Sequence, residues 1–344
     1  IIAKTIKGKG IKSLENIENF HGKALPRDKM GEAERELGEI DKSVRGKIAI
    51  PPKINEEKNN NSASLFNVAE YNPGESVATR KAYGQALADI GSSNSSLVVL
   101  DGETSNSTYS EIFAQKFPDR YFEMFIAEQN MAGTALGLST RGKIPFASTF
   151  AAFWTRAHDQ IRMASIARAN VKFAGSHSGV SIGEDGPSQM AVEDISLFRA
   201  LIDSVVLYPS DANSTQKLVE QAINHQGLVY LRTTRMETPV IYAPDEVFPI
   251  GGSKTLKSSE EDKLTIVAAG ITLHEALKAY SELVKEGIIV RIIDLYSVKP
   301  IDCATLEKAA EETGAIIVVE DHRPEGGIAD AVMSCLSSSK TPVY

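Results

Sequence analysis

Eight short runs of apolar, largely β-branched residues, alternating with helical patterns, constrain this 344-residue chain more than any other feature. Five lie between positions 75 and 240: LVVLD from 97, PFAST from 145, VKFAG from 171, SVVLY from 204 and LVYLR from 228. Three more, LTIVAAG from 264, IVRIIDL from 289 and AIIVVED from 315, follow the polar stretch GGSKTLKSSEEDK. Apolar strands separated by helices imply parallel sheets covered on both faces, because a parallel neighbour needs a crossover of helical length. The length exceeds what one core ordinarily serves, about 250–300 residues, so two α/β domains with flanking segments are expected.

The flanks read differently. Residues 1–27 are expected to form a strand and a turn ending in His21-Gly22, and DKMGEAERELGEI from 28 carries a charged helical pattern with Leu37 and Ile40 on one side. PPKINEEKNNNSAS, with its prolines and asparagine run, reads as a linker. The chain opens on Ile1 without Met and stops just after TPVY begins a further strand, so a fragment of a longer protein is expected.

A formal charge of -8 argues against a general nucleic-acid surface. No run approaches the roughly 18 apolar residues of a membrane helix, and the N-terminus lacks the order of a signal peptide. Cys303 and Cys335 form no CxxC pair and no zinc spacing, which predicts reduced structural thiols and a cytoplasmic protein.

Chemistry concentrates in a few motifs. In FIAEQNMAGTALGLSTRGKIPFASTFAAF, from 125, the isolated carboxylate of Glu128 enters a helix whose Ala132, Gly133, Ala135 and Gly137 would admit a backbone or a flat ligand. An apolar setting holds such an acid protonated or proton-sharing; the plain alternative is a helix N-terminal Glu favoured by the macrodipole. Phe150 and Phe153 lie one helical turn apart and can wall a flat ring or simply fill a core. SHSGVSIGEDGPSQ is unusually polar for a stretch that follows a buried strand, and is expected to cross the mouth of the sheet. In it His177 and Asp185 can handle sugar hydroxyls, or close a polar turn. Arg80 in ATRKAYG, Ser107 in SNSTYSE and Arg235 in RTTRMET are the types a phosphate needs, each ordinary alone.

Together, and in this order, these motifs resemble transketolase, the thiamine-diphosphate enzyme that moves two-carbon ketol units between sugar phosphates. The resemblance spans nearly the whole chain apart from an insert near 50–66. It implies a thiamine-diphosphate-binding α/β fold: the end of a diphosphate-binding domain (1–27), a helix and linker (28–70), a pyrimidine-binding domain (71–240), a connecting segment (241–262) and an incomplete C-terminal domain (263–344). Glu128 then hydrogen-bonds the cofactor's aminopyrimidine, Phe153 stacks on it with Phe150 behind, and His21 and His177 carry hydroxyl protons. Lys7 in TIKGKG and His21 in ENFHGK reach the cofactor, His21 also the substrate. Arg80, Ser107 and Arg235 hold phosphate, while Asp185 and Gln189 contact substrate. Gln189 stands where many microbial and plant members carry His and matches the animal type. Glu103, in LDGETSNS, stands where most of the family has Asp beside the cofactor.

The family's metal motif, GDG with an Asn a helix further on, is missing, and GEDG at 183–186 does not replace it. The resemblance therefore implies that Mg²⁺ or Ca²⁺ is held outside this chain, and that the enzyme is a homodimer whose site joins two subunits. The activity implied is ketol transfer from a ketose phosphate such as xylulose 5-phosphate to an aldose phosphate such as ribose 5-phosphate. The rival readings are the β-type subunit of a 2-oxo acid dehydrogenase, deoxyxylulose-phosphate synthase, and a non-catalytic module of the same fold.

Overall fold

The computed structural model describes residues 3–18, 20, 24–38, 43, 66 and 68–344. They fall into two compact units, residues 1–57 and 58–344. In the first, residues 3–18 are built of turns: Gly8 and Gly10 take φ of +68° and +102°, and Glu15 accepts from Gly10 N at 3.0 Å. The strand expected within 1–27 is therefore absent among the described residues there, because the GKG run supplies left-handed turn positions before an extended segment can form. The expected helix is present as α1 (Met30–Leu37), which stops at Gly38 with φ +55°. Ile40 and the PPKINEEKNNNSAS stretch lie outside the described residues.

The second unit begins with β1 (Ser76–Ala78), α2 (Thr79–Gly91), β2 (Leu97–Asp101), α3 (Ser105–Thr108), α4 (Glu111–Lys116), β3 (Tyr121–Glu123) and α5 (Glu128–Ser139). It continues through β4 (Ile144–Phe150), α6 (His158–Ile166), β5 (Lys172–Ser176), α7 (Asp194–Arg199), β6 (Val205–Leu207), α8 (Ala212–Asn224), β7 (Val229–Arg232) and β8 (Glu237–Pro239). The remainder is β9 (Lys254–Lys257), β10 (Thr265–Ala268), α9 (Ile271–Lys285), β11 (Arg291–Asp294), β12 (Ser297–Lys299), α10 (Cys303–Glu312), β13 (Ile316–Val319) and α11 (Ile328–Cys335).

Each of the eight apolar runs contains a strand. The large sheet runs β12-β6-β7-β5-β4-β2-β3, parallel throughout except at β12, which lies antiparallel to β6. The smaller sheet runs β13-β10-β11-β9, with β9 antiparallel to β11. Three features depart from the sequence reading. The polar stretch before residue 264 contains β9, whose Leu256 is the one apolar side chain packed inward. β3 is partly exposed and three residues long, too short to show a period. β12 joins the large sheet although it follows β11 of the small one, a long-range pairing that local pattern cannot reveal.

The two sheets share one apolar core. Leu100, Met131, Trp154, Phe173 and Phe198 beneath the large sheet run continuously into Val267, Ile293, Leu306 and Ile316 around the small one. Polar groups stitch the same junction: Asp294 accepts from Ser210 Oγ at 2.9 Å and Tyr242 Oη at 2.7 Å, and Ser210 Oγ accepts from Gly270 N at 2.9 Å. Gly270 has φ +58°, and a Cβ there would lie 2.0 Å from the Tyr208 ring, so only glycine fits. The cysteines correct the sequence reading. Cys303 opens α10, Cys335 closes α11, and packing of the two helices brings them together as a disulfide with Cα atoms 5.7 Å apart, where reduced thiols were expected. A separation of 32 residues gives no local sign of that contact.

The strongest tie at the junction is ionic. Arg232, fully buried at the end of β7, donates to Asp194 at 2.8 Å and to Asp321 at 2.6 Å, with the Tyr208 ring under its guanidinium at 4.4 Å. Truncating one member of a buried ionic group leaves uncompensated charge. Arg232→Met should therefore destabilise the protein by about 3–5 kcal/mol, measured by chemical denaturation; a loss under 1 kcal/mol would refute the role assigned to it here.

Candidate functional site

Because β2, β3, β4, β5 and β7 are parallel, they deliver their carboxyl ends to one side. The chain leaves β2 outward for β3, then returns to lay β4 on the other flank of β2, which makes the crevice there a topological switch point. The loops leaving these ends hold four non-glycine residues at left-handed φ, Glu103 (+60°), Tyr109 (+60°), Phe125 (+56°) and His177 (+57°). Each costs about 1–3 kcal/mol, and such strain gathers where side chains must be aimed.

After β4 the chain makes a 3-10 helix, Ala151–Ala157, whose three-residue turn stacks side chains at i and i+3. Ala151, Trp154 and Ala157 form its buried row, anchored by Trp154 Nε1 donating to Ala174 O at 3.0 Å. Phe150, Phe153 and Arg156 form the adjoining row. Phe150 and Phe153 stack at 5.3 Å between centroids, and Phe150 also stacks on His177 at 4.0 Å. The Arg156 guanidinium lies 4.2 Å from the Phe153 ring centre and donates to Glu128, the first residue of α5, only 4% exposed. Glu128 is thus ion-paired, where the sequence predicted a carboxylate isolated among apolar groups. One residue before Phe150, Thr149 Oγ1 is buried without a hydrogen-bond partner.

A cationic arm adjoins the stack. Arg80 Nη1 donates to Ser107 O at 2.7 Å and Arg80 Nε to Arg235 O at 3.1 Å, which ties the first turn of α2 to the loops after β2 and β7. Arg235 donates to Ile182 O and meets Glu184 at 3.0 Å and Asp185 at 3.4 Å, so it holds the polar loop after β5. His177 is 3% exposed, with Nδ1 3.1 Å from Ser176 Oγ. Burial, reinforced by the charges of Arg80 and Arg235, pushes its pKa down to about 3, so its imidazole is neutral at ordinary pH.

The structure therefore brings Glu128, Phe153, Phe150 and His177 into one row and joins Arg80, Ser107, Asp185 and Arg235 beside it. Gln189 bonds within its own loop, its side-chain oxygen accepting from Ser188 Oγ and its backbone N–H donating to Gly186 O at 3.2 Å. Glu103 donates its N–H to Glu123 at 2.9 Å. Lys7 belongs to the first unit, where its carbonyl accepts from Asn16 N at 3.0 Å, and His21 lies outside the described residues. Three contributors escaped the sequence reading. Arg156 could have been found from its i+3 spacing after Phe153. Asp101, fully buried, accepts from Thr104 N, Thr104 Oγ1, Thr108 Oγ1 and Ser110 Oγ and so shapes the loop carrying Glu103 and Ser107; burial lifts its carboxyl to about 7. Glu123 clamps Glu103 N and Phe125 N together. Among the described residues no group of three His, Cys, Asp or Glu is placed to hold a metal ion, and no helix is long and apolar enough to cross a membrane.

Fold and site define an α/β protein with a crevice at the carboxyl ends of a largely parallel sheet. Residues 75–240 match the family described as transketolase, pyrimidine binding domain, and residues 253–343 that described as transketolase, C-terminal domain. Transketolase-like protein 2 of Mus musculus is 48% identical over 340 residues and transketolase of Homo sapiens 47% over 346, each match covering 98% of this chain and 54% of the relative. A solved structure described as split gene transketolase, inactive beta4 tetramer, superimposes with a TM-score of 0.72 at 44% identity, over 78% of this chain and 86% of that one. Transketolase from Campylobacter jejuni shares the fold, with a TM-score of 0.70 at 24% identity, over 80% of this chain and 43% of that one. The chain belongs to the transketolase family, whose members depend on thiamine diphosphate, and it spans about half the length of the curated relatives it matches.

The depressed pKa of His177 has a testable sign. Its folded value of about 3 lies below the ordinary 6.5, so the unfolded chain binds the extra proton; the stabilising contribution is complete above about pH 6.5 and is lost as pH falls toward 3. In an NMR titration, with the signal assigned by its loss in His177→Asn, the imidazole should stay neutral to below pH 5. A midpoint near 6.5 would show that burial and the two arginines do not govern it.

Proposed function

We propose that this chain supplies the pyrimidine-binding and C-terminal portion of a transketolase. The observation that carries the reading is the paired Glu128 and Phe153. Together they already embrace a planar N–H donor, the Arg156 guanidinium, through the stacking face and carboxylate contact that an aminopyrimidine would use. Thiamine diphosphate, when bound, supplies a carbon nucleophile that accepts a two-carbon ketol unit from a ketose phosphate such as xylulose 5-phosphate and passes it to an aldose phosphate such as ribose 5-phosphate.

The chain's own residues then do the following. Glu128 hydrogen-bonds the ring nitrogen, and Phe153, backed by Phe150, fixes the ring plane. His177 is assigned to a substrate hydroxyl whose proton moves in the reaction; its pKa of about 3 keeps the imidazole neutral and makes it a weak base near pH 7, so it serves chiefly as a neutral hydrogen-bond partner of that hydroxyl. Arg80, Arg235 and Ser107 hold the remote phosphate, displacing Glu184 and Asp185 from Arg235, and the binding energy positions the reacting carbons. Asp185 and Gln189 bind sugar hydroxyls, and Glu103 lies beside the cofactor. By the same family reading, Lys7 is assigned to the cofactor and His21 to cofactor and substrate. The domain limits 1–27, 28–70, 71–240, 241–262 and 263–344 follow from the same reading.

The diphosphate and its Mg²⁺ or Ca²⁺ are assigned to residues outside those described, in a complete homodimer whose sites lie between subunits in the cytoplasm. The neighbour described as an inactive beta4 tetramer supports the view that this half is insufficient alone. The 344-residue chain should show no ketol transfer from xylulose 5-phosphate to ribose 5-phosphate, and addition of the diphosphate-binding half should produce it. Glu128→Ala in that assembly should lower kcat by about 10²–10⁴. Full activity of the isolated chain would refute the half-site reading, and an unimpaired Glu128→Ala would remove Glu128 from it.

A further inference from the structure

We propose that Arg156 is a resident surrogate for the cofactor ring: it occupies the Glu128–Phe153 position until the aminopyrimidine displaces it. The inference rests on the function proposed above and adds a residue that the site motifs do not include. Its guanidinium is flat, bears N–H donors and carries positive charge, and it makes both contacts that the ring would need, stacking on Phe153 at 4.2 Å and donating to Glu128. Ring and guanidinium cannot use the same face of Phe153 and the same carboxylate oxygen together. One must leave.

The geometry equips Arg156 to be the one that goes. Glu128 is 4% exposed and fixed at the start of α5, and the 3-10 backbone is pinned through Trp154 to Ala174. The Arg156 side chain, by contrast, is 48% exposed, and Glu128 is its polar partner among the described residues. An arginine that can rotate into water loses little by doing so, because a pair with one partner so exposed is worth little net. The buried carboxylate meanwhile is not left without a donor in either state, which matters because an unpartnered buried charge is costly. The exchange is a hydrogen-bond and stacking substitution, with no covalent step. Its consequence is that the empty half-site is closed against water and stray cations, and that ring entry is in competition with an intramolecular group.

The test uses the complete protein, with its diphosphate-binding half, and reads binding rather than turnover. Thiamine diphosphate with Mg²⁺ is titrated by calorimetry and mixed by stopped flow into the parent and into Arg156→Met, which keeps an apolar stem over Phe153 but no donor. Removing the competitor should tighten Kd about two- to fivefold. The observed binding rate, levelling off at high cofactor in the parent because Arg156 must leave first, should rise linearly in the variant. Arg156→Lys, which keeps charge but not the plane, should fall between the two, and serves the same comparison if the Met variant unfolds in a thermal melt. An unchanged or weaker Kd in both variants overturns the inference while leaving the function intact. A parent that binds no thiamine diphosphate removes both.

Discussion

The rest of the structure leans on the buried guanidinium of Arg232. It sits at the carboxyl end of β7 in the large sheet, yet one of its two carboxylates, Asp321, belongs to the loop after β13 of the small sheet. Tyr208 Oη also donates to Asp321, and Tyr230 Oη to Asp194, so two strands, a helix start and a loop converge on one charge. Buried charges persist only when paired and hydrogen-bonded, which makes the relative placement of the sheets a condition for satisfying this group. The consequence reaches the site. The chain runs directly from Arg232, the last residue of β7, into Thr233, Thr234 and Arg235, and the loop after β5 is gripped from both sides. Arg235 holds Ile182 and Asp185, while Gly179 has no Cβ because Asp321 Oδ2 would lie 1.7 Å from it.

On that base the site is a relay of flat groups. Arg156, Phe153, Phe150 and His177 stack in succession from the buried carboxylate of Glu128 to the arginine arm. Phe153, Phe150 and His177 pack ring against ring, whereas Arg156 at the end of the row is half exposed. The same dry setting that favours stacking also strips the imidazole of its cationic form, with Arg80 and Arg235 adding to the effect. The positive charge of the arm thus adds to burial in keeping the histidine neutral.

The loop after β2 follows the same economy of means. Asp101 is fully buried yet surrounded by four donors from Thr104, Thr108 and Ser110, and it shapes the turn that carries Glu103 and Ser107. Glu123 then locks that turn to the start of α5 through Phe125. Acidic groups here act mainly as acceptors for backbone and hydroxyl donors, organising the loops from which the functional side chains project.

Local sequence alone determined the strand runs, since β-branched apolar stretches such as LVVLD or LTIVAAG have few other stable uses, and the order of motifs made the family legible. Even VKFAG read correctly, although its Lys172 is buried, because three oxygens from Asn170, His225 and Gly227 receive the ammonium. Phe150, Phe153, His177, Arg80 and Arg235 were legible as candidates, but not their contacts. Only the tertiary structure decided that β12 completes the large sheet, that Cys303 meets Cys335, that Arg232 bridges Asp194 and Asp321, and that Arg156 covers Glu128. Each of these joins residues far apart in sequence or selects one rotamer among several. Such choices depend on what else is packed within a few ångströms, whereas strand period and turn chemistry are written in neighbouring residues.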